Sequence, residues 1–121
     1  MGDPGEQALV VKALRDGLGN CVIWDEKGAQ LVREDPELEG LTPAFIRREV
    51  IAFVRSQSDA GAVVKQVSEE RERWRDDYRF YYKVVLPVDG FKHGLFVEMR
   101  LTDDDPDCPV VTLVRAHTQK R

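Results

Sequence analysis

The chain has 121 residues, of which 42% are hydrophobic, and this is enough to bury one core in a single domain spanning residues 1–121. The net charge of −4 argues against broad, charge-driven binding of nucleic acid, although it leaves room for a local basic patch. No apolar run is long enough to span a membrane, and residues 1–6 lack the features of a signal peptide. We therefore expect a cytoplasmic protein with no membrane partner.

Residues 1–41 predict a helix followed by a short β-hairpin. Asp3 and Pro4 form a typical helix start, and apolar residues then recur at helical spacing. Residues 20–32 hold two short apolar runs separated by the polar residues 25–28, which favour a turn. This hairpin could extend the sheet that is predicted further along the chain.

Residues 42–78 predict two helices. Thr42 and Pro43 begin the first, and its wide apolar stripe ends near Ser56. A second helix is predicted because four apolar or aromatic residues fall on one helix face: Val63, Val67, Trp74 and Tyr78. A strand over residues 63–74 is the alternative interpretation of the same stretch.

Residues 79–117 predict an antiparallel, three-stranded meander with turns rich in Asp, Gly and Pro. The strands cover residues 79–88, 95–102 and 110–117. Successive side chains of a strand point to opposite faces, and one parity is almost wholly apolar. That parity predicts the core face: Phe80, Tyr82, Val84, Leu86, Val88, Leu95, Val97, Met99, Leu101, Val110, Thr112, Val114 and Ala116. The predicted fold class is therefore α+β, with N-terminal helices packed on one face of an antiparallel sheet.

The opposite parity predicts an open polar face: Arg79, Tyr81, Lys83, Glu98, Arg100, Arg115 and His117. A solvated outer sheet face is the simplest interpretation of these residues. The same set also contains what cleavage of RNA without a metal requires. Glu98 could accept the proton of the ribose 2′-hydroxyl, and His117 could protonate the leaving 5′-oxygen.

The remaining residues of this face would bind the substrate. Arg100 and Arg115, with Lys83, could hold the phosphate and its transition-state charge, while Tyr81 could orient a base. Arg79 belongs to the same parity and is also predicted to bind substrate. The 2′-hydroxyl would then attack its own phosphate and give a cyclic phosphate, so we predict neither a metal nor a cofactor.

The chain resembles the bacterial RelE/ParE-type toxins and the wider barnase–colicin–RelE ribonuclease superfamily. The resemblance lies in the order of elements and in the segment Asp77-Tyr78-Arg79-Phe80-Tyr81-Tyr82-Lys83-Val84. Glu98, Arg100 and His117 are similar to the Glu, Arg and His set of barnase. The resemblance implies a metal-independent endoribonuclease whose active site lies on the open sheet face. It also implies RNA as substrate and an antitoxin or immunity protein as a possible partner.

Two other classes of function stay open from the sequence. One is a non-catalytic module whose polar sheet face binds nucleic acid or an acidic protein, and the other is a structural or regulatory domain. Lys92 and His93, in the turn between the first two strands of the meander, could touch RNA from the rim or be simply exposed.

The remaining candidate groups have simpler interpretations. The acidic residues at 103–107 could bind a hard cation, but they lack the glycine and terminal Glu of an EF-hand loop, which favours an acidic turn. Cys21 and Cys108 have no metal-binding spacing and are expected to be free thiols rather than a disulfide.

Overall fold

The computed structural model describes residues 2–118, which form an α+β structure, as predicted. The helices are α1 (Pro4–Asp16), α2 (Glu26–Glu34), α3 (Pro43–Ser56) and the single turn α4 (Ala60–Val63), with a 3-10 turn at Pro36–Leu38. The strands are β1 (Val22–Trp24), β2 (Lys65–Ser68), β3 (Phe80–Leu86), β4 (Leu95–Asp103) and β5 (Val110–Thr118). Within these residues the strands make one sheet in the order β1-β5-β4-β3-β2, and the helices pack against it.

The two long helices begin where the sequence predicts. In α1 the Asp3 carboxylate accepts a hydrogen bond from the Glu6 backbone N–H at 3.1 Å. In α3 the Thr42 hydroxyl accepts one from the Phe45 N–H at 3.0 Å. Helix α1 ends at Gly17, whose φ of 63° lies in the left-handed region that favours glycine.

Strands β3, β4 and β5 form the predicted antiparallel meander. Two further strands complete the sheet, and they differ in direction. β2 pairs antiparallel with β3, whereas β1 pairs parallel with β5. The sheet is therefore mixed, and the prediction of a purely antiparallel sheet is wrong at this one edge.

The predicted hairpin at residues 20–32 is wrong in its second arm, because α2 follows β1 directly. The Asp25 carboxylate accepts a hydrogen bond from the Gly28 N–H at 3.0 Å and so caps a helix instead of forming a turn. Ala29 and Val32 lie three residues apart and are both buried, as one face of a helix requires. Strand β1, which has three residues, therefore has no hairpin partner and pairs with β5 instead.

The second helix predicted within residues 42–78 is also wrong. Helix α4 stops after one turn, and the chain enters β2, so the alternative strand is confirmed for Lys65–Ser68. β-Branched valines at positions 63, 64 and 67 favour an extended backbone, and pairing with β3 satisfies its hydrogen bonds. Residues 69–78 then return to β3 as a series of turns.

The apolar face of the meander is buried against the helices, and Val97 is fully buried, as predicted. The expected parity is wrong in most of β5, where Val111 and Leu113 are buried while Val114 is only half-buried. The cause is a register shift, since Glu98 pairs with Arg115 but Met99 pairs with Leu113. Val114 is the extra residue of this β-bulge. In the part of β5 that precedes it, the buried and less buried positions are therefore the reverse of those predicted.

None of the helices within residues 2–118 is long and apolar enough to cross a membrane.

A tight backbone approach at Gly28 gives a stability prediction. A Cβ atom at Gly28 would lie 2.5 Å from the backbone oxygen of Val114, which cannot move without disturbing β5. We expect Gly28→Ala to lower the free energy of unfolding by about 1–3 kcal/mol, although alanine has the higher helix propensity. Urea denaturation followed by circular dichroism would measure this change.

Gly5→Ala is the matched control, because Gly5 also lies in a helix and an added Cβ would have only an ordinary contact of 3.4 Å with the Asp3 side chain. This variant should be as stable as the wild type or slightly more stable. Equal stability of the two variants would contradict the close packing of α2 on β5.

Candidate functional site

The strand register fixes which side chains share the sheet face opposite the helices. Lys65 pairs with Lys83, Lys83 with Glu98, and Glu98 with Arg115, so four strands contribute one row of charged side chains. The next row contains Val85, Phe96 and His117. The surface that contains these two rows, together with Tyr81 and Arg100, is termed the polar face.

Residues 69–78, termed the cover segment, fold over one half of the polar face. The Trp74 ring centroid lies 4.2 Å from the guanidinium carbon of Arg100, and the Tyr78 ring centroid lies 5.1 Å from it. These distances are typical of cation–π contacts, which strengthen when water is excluded. Arg100 is only 1% exposed as a result.

Four charged side chains form a cluster beneath and within the cover segment: Glu69, Arg71, Glu98 and Arg100. All but Arg71 are buried. An Arg100 nitrogen lies 2.6 Å from a Glu69 oxygen and 3.4 Å from a Glu98 oxygen. Arg71 lies 2.7 Å from Glu98 and 2.9 Å from Glu69. Two positive and two negative charges thus compensate one another, as buried charges must. This set is termed the Glu–Arg cluster.

The ion pairs of the Glu–Arg cluster favour the charged forms of Glu69 and Arg71. Burial alone would raise the pKa of Glu69, but hydrogen bonds from Arg71 and Arg100 outweigh it and lower that pKa to about 2. The hydrogen bonds that Arg71 makes with Glu69 and Glu98 raise the pKa of Arg71 further. Glu69 and Arg71 are therefore both charged at neutral pH.

The predicted accessibility of Glu98 and Arg100 is wrong. Glu98 is 3% exposed, and both of its oxygens accept hydrogen bonds from Arg71. A general base must reach the proton that it removes, and Glu98 faces cations instead of solvent in this structure. The sequence places both residues on the correct face, but it does not reveal that the cover segment lies over them.

The other half of the polar face is open. The Phe96 and His117 rings are stacked, with centroids 4.6 Å apart and an interplanar angle of 18°. The Lys83 ammonium lies 6.0 Å from the Phe96 centroid. Lys65 and Arg115 are exposed at the two ends of the charged row. This set is termed the open strip: Lys65, Lys83, Phe96, Arg115 and His117.

The open strip carries positive charge that no carboxylate of the described residues neutralises. Among residues 2–118, none of Lys65, Lys83 and Arg115 lies within ion-pair distance of an acidic side chain. Glu98 pairs with Arg115 in the strand register, but its carboxylate is engaged by the Glu–Arg cluster. The chain is acidic as a whole, yet this surface presents three free cations.

His117 is half-buried, and its Nδ1 lies 3.0 Å from the Thr118 backbone oxygen. A carbonyl oxygen only accepts hydrogen bonds, so this contact requires the proton on Nδ1. In the neutral ring Nε2 is then left as an acceptor. The position of His117 beside Arg115 agrees with the predicted face, and its predicted catalytic role stays a prediction.

The structure does not bring every predicted substrate-binding residue to the polar face. Tyr81 lies on this face, where the guanidinium carbon of Arg71 is 4.5 Å from its ring centroid. Arg79 instead turns to Asp3, with 3.5 Å between their charged atoms. Lys92 and His93 are exposed in the β3–β4 turn and line a separate cleft of about 500 Å³ with Phe53 of α3.

Sequence reasoning missed the residues that close the site. Glu69 and Arg71 fall within the second helix that the sequence predicts for residues 42–78, yet they lie two residues apart, as side chains on one face of an extended segment do. That spacing, directly after Lys65–Ser68, is the signal that could have found them. Lys65 was missed because its place depends on the pairing of β2 with β3. Phe96 shares the strand parity of Glu98, so the alternation of β4 could have assigned it to the polar face.

The chain matches no protein-family model, no curated protein and no solved structure. Its resemblance to the RelE/ParE-type toxins and to barnase therefore stays a prediction.

The low pKa of Glu69 gives a prediction for the pH dependence of stability. A carboxyl group whose pKa falls from 4.5 to about 2 on folding stabilises the protein above pH 4.5, and this contribution is lost as the pH falls towards 2. We expect Glu69→Gln to be destabilised by about 2 kcal/mol or more at pH 7 and to lose stability less steeply on acidification. Urea unfolding at a series of pH values would measure both effects.

Glu70→Gln is the control, because Glu70 is the adjacent residue and is exposed. It should keep the pH dependence of the wild type. A Glu69→Gln variant with the full wild-type loss of stability between pH 5 and pH 2 would refute the ion pairing assigned to Glu69.

Proposed function

We propose that the open strip binds single-stranded RNA. The observation that carries this proposal is a row of three unpaired cations next to a stacked aromatic pair. Proteins that bind single strands combine cations that follow the phosphates with aromatic rings on which bases stack. The open strip offers both on one sheet.

The charged row supports contacts to the phosphate backbone. Lys65, Lys83 and Arg115 lie on β2, β3 and β5, and neighbouring strands are ~5 Å apart. The row therefore extends over ~15 Å, which suits a short segment of RNA. Because binding would neutralise about three phosphates, we expect a salt dependence with a log–log slope of about −2.

The aromatic pair favours RNA over an acidic protein as the partner. Phe96 and His117 present stacked rings in the row next to the cations. Stacking of a base on such a ring contributes ~1–3 kcal/mol and requires no particular base sequence. An acidic peptide would use the cations but would gain little from the rings.

Cleavage of the bound RNA, as in a metal-independent endoribonuclease of toxin type, is a second candidate function. Nε2 of His117 is available for proton transfer beside Arg115. Two nitrogens of Arg100, Nε and Nη1, have no hydrogen-bond partner within residues 2–118 and could hold a phosphate if the cover segment moved away. Use of Glu98 as the base would require the same movement, because Arg71 occupies its oxygens.

This second candidate function implies a substrate and an inhibitor. A cytoplasmic RNA would be the substrate, and an antitoxin or immunity protein could inhibit the enzyme by covering the open strip. Both suggestions rest on the resemblance to the toxins.

Charge reversal tests the RNA-binding proposal. We expect Lys83→Glu and Arg115→Glu each to weaken binding of a labelled single-stranded oligoribonucleotide at least ~10-fold, because each replaces a phosphate contact with a repulsion. Arg48→Glu is the matched control, since Arg48 is exposed on α3 and its guanidinium lies 5.4 Å from the Phe45 ring. Fluorescence anisotropy at several salt concentrations would measure the affinities.

Three results would count against RNA binding. These are equal losses in Arg48→Glu and Lys83→Glu, no binding of the oligoribonucleotide at low salt, and unchanged affinity in Phe96→Ala. Tighter binding of polyglutamate than of RNA, lost in Lys83→Glu, would identify an acidic protein as the partner.

Incubation of the same RNA with EDTA tests the second candidate. Cleavage should leave a cyclic or 3′-phosphate end, and His117→Ala should slow it by ~10²-fold or more. Cleavage that continues at the full rate in His117→Ala would exclude this residue as the catalytic acid. RNA that is bound but stays intact would leave the open strip as a binding surface alone.

A further inference from the structure

The two cysteines, which are 87 positions apart in the sequence, meet at one edge of the sheet. Cys21 directly precedes β1 and is buried, while Cys108 lies in the β4–β5 turn and is partly exposed. Their sulfur atoms are 2.7 Å apart. A disulfide bond is ~2.05 Å long, so a small adjustment of the two side chains would bring the sulfurs to bonding distance.

The backbone on both sides holds the two thiols in this arrangement. The Cys21 carbonyl accepts a hydrogen bond from the Val111 N–H at 2.8 Å, the first link between β1 and β5. The Cys108 N–H donates to the Asp105 carbonyl at 3.1 Å and closes the turn before β5. The proximity of the sulfurs is therefore imposed by strand pairing and by turn geometry together, not by two freely moving side chains.

We propose that Cys21 and Cys108 are a site of reversible disulfide formation that links β1 to the start of β5. The site lies outside the open strip, so the proposal is independent of the RNA-binding function. In a reducing compartment both residues would be thiols, as the sequence led us to expect, and exposure to a disulfide oxidant would convert them to a cystine.

The oxidant is a low-molecular-weight disulfide such as oxidised glutathione, and the reaction proceeds by two exchanges. The Cys108 thiolate first attacks the external disulfide, forms a mixed disulfide and releases one glutathione thiolate. The Cys21 thiolate then attacks the Cys108 sulfur and releases the second. The protein loses two protons and two electrons, and the oxidant becomes two molecules of reduced glutathione.

The order of these steps follows from access and from acidity. Cys108 is the more exposed of the two residues, so an external disulfide reaches it first. The hydrogen bond with Cys108, together with burial, raises the pKa of Cys21 to about 11. Cys21 is thus a poor first nucleophile at neutral pH, but it is already placed against the sulfur that it must attack in the second step.

Alkylation and mass spectrometry of the full-length chain test the proposal. The protein is equilibrated without oxygen in mixtures of reduced and oxidised glutathione and then treated with N-ethylmaleimide. We expect a monomer that lacks two hydrogen atoms, carries no maleimide and yields a peptide pair joined through Cys21 and Cys108. This species should exceed half of the protein when the two forms of glutathione are present in equal amounts.

The variants Cys21→Ser and Cys108→Ser are matched controls, and each should carry one glutathione or one maleimide. The melting temperature of the oxidised wild type should exceed that of the reduced form by roughly 10 °C, because the cross-link closes a long loop of the unfolded chain. Neither serine variant should show this difference. Mixed disulfides, disulfide-linked dimers or two maleimides on the wild type in every mixture would overturn the proposal.

Discussion

The arrangement of the polar face depends on one buried charge, the guanidinium of Arg100. Arginine cannot lose its proton in a protein, so a guanidinium that is 1% exposed has to be compensated by its surroundings. Glu98 compensates it from the same strand, and Glu69 does so from the cover segment. Removing one partner of such a group costs about 3–5 kcal/mol, which ties the conformation of residues 69–78 to the sheet beneath them.

This pairing also explains how an acidic chain presents a basic surface. Glu98 is the acidic side chain of the two rows of the polar face, and Arg71 and Arg100 engage its carboxylate. It therefore cannot neutralise Lys65, Lys83 or Arg115. The burial of Arg100 thereby leaves the positive charges of the open strip without a compensating carboxylate on the same face within residues 2–118. The function that we propose for the open strip therefore depends on the ion pairs that compensate the charges in the covered half of the polar face.

Local patterns of the sequence predicted much of this fold, including α3, the meander and the buried Val97. The predictions that are wrong concern features decided at long range. The parallel partner of β1 and the bulge at Val114 depend on strands far apart in the chain, and the pairing of Glu69 with Arg100 depends on a turn segment that resembles a helix in composition. Parity could place Glu98 on the polar face, but only the packing of Trp74 and Tyr78 could show that this part of the face is closed.

The parallel pairing of β1 with β5 has a consequence for co-translational folding. Val22 pairs with Val111, so the hydrogen bonds of β1 cannot form until β5 has been synthesised. At ordinary rates of translation this delay is on the order of ten seconds. During that time Val22 and the edge residues around it are apolar and unpaired, and the nascent chain exposes a surface on which a chaperone or a neighbouring copy could bind.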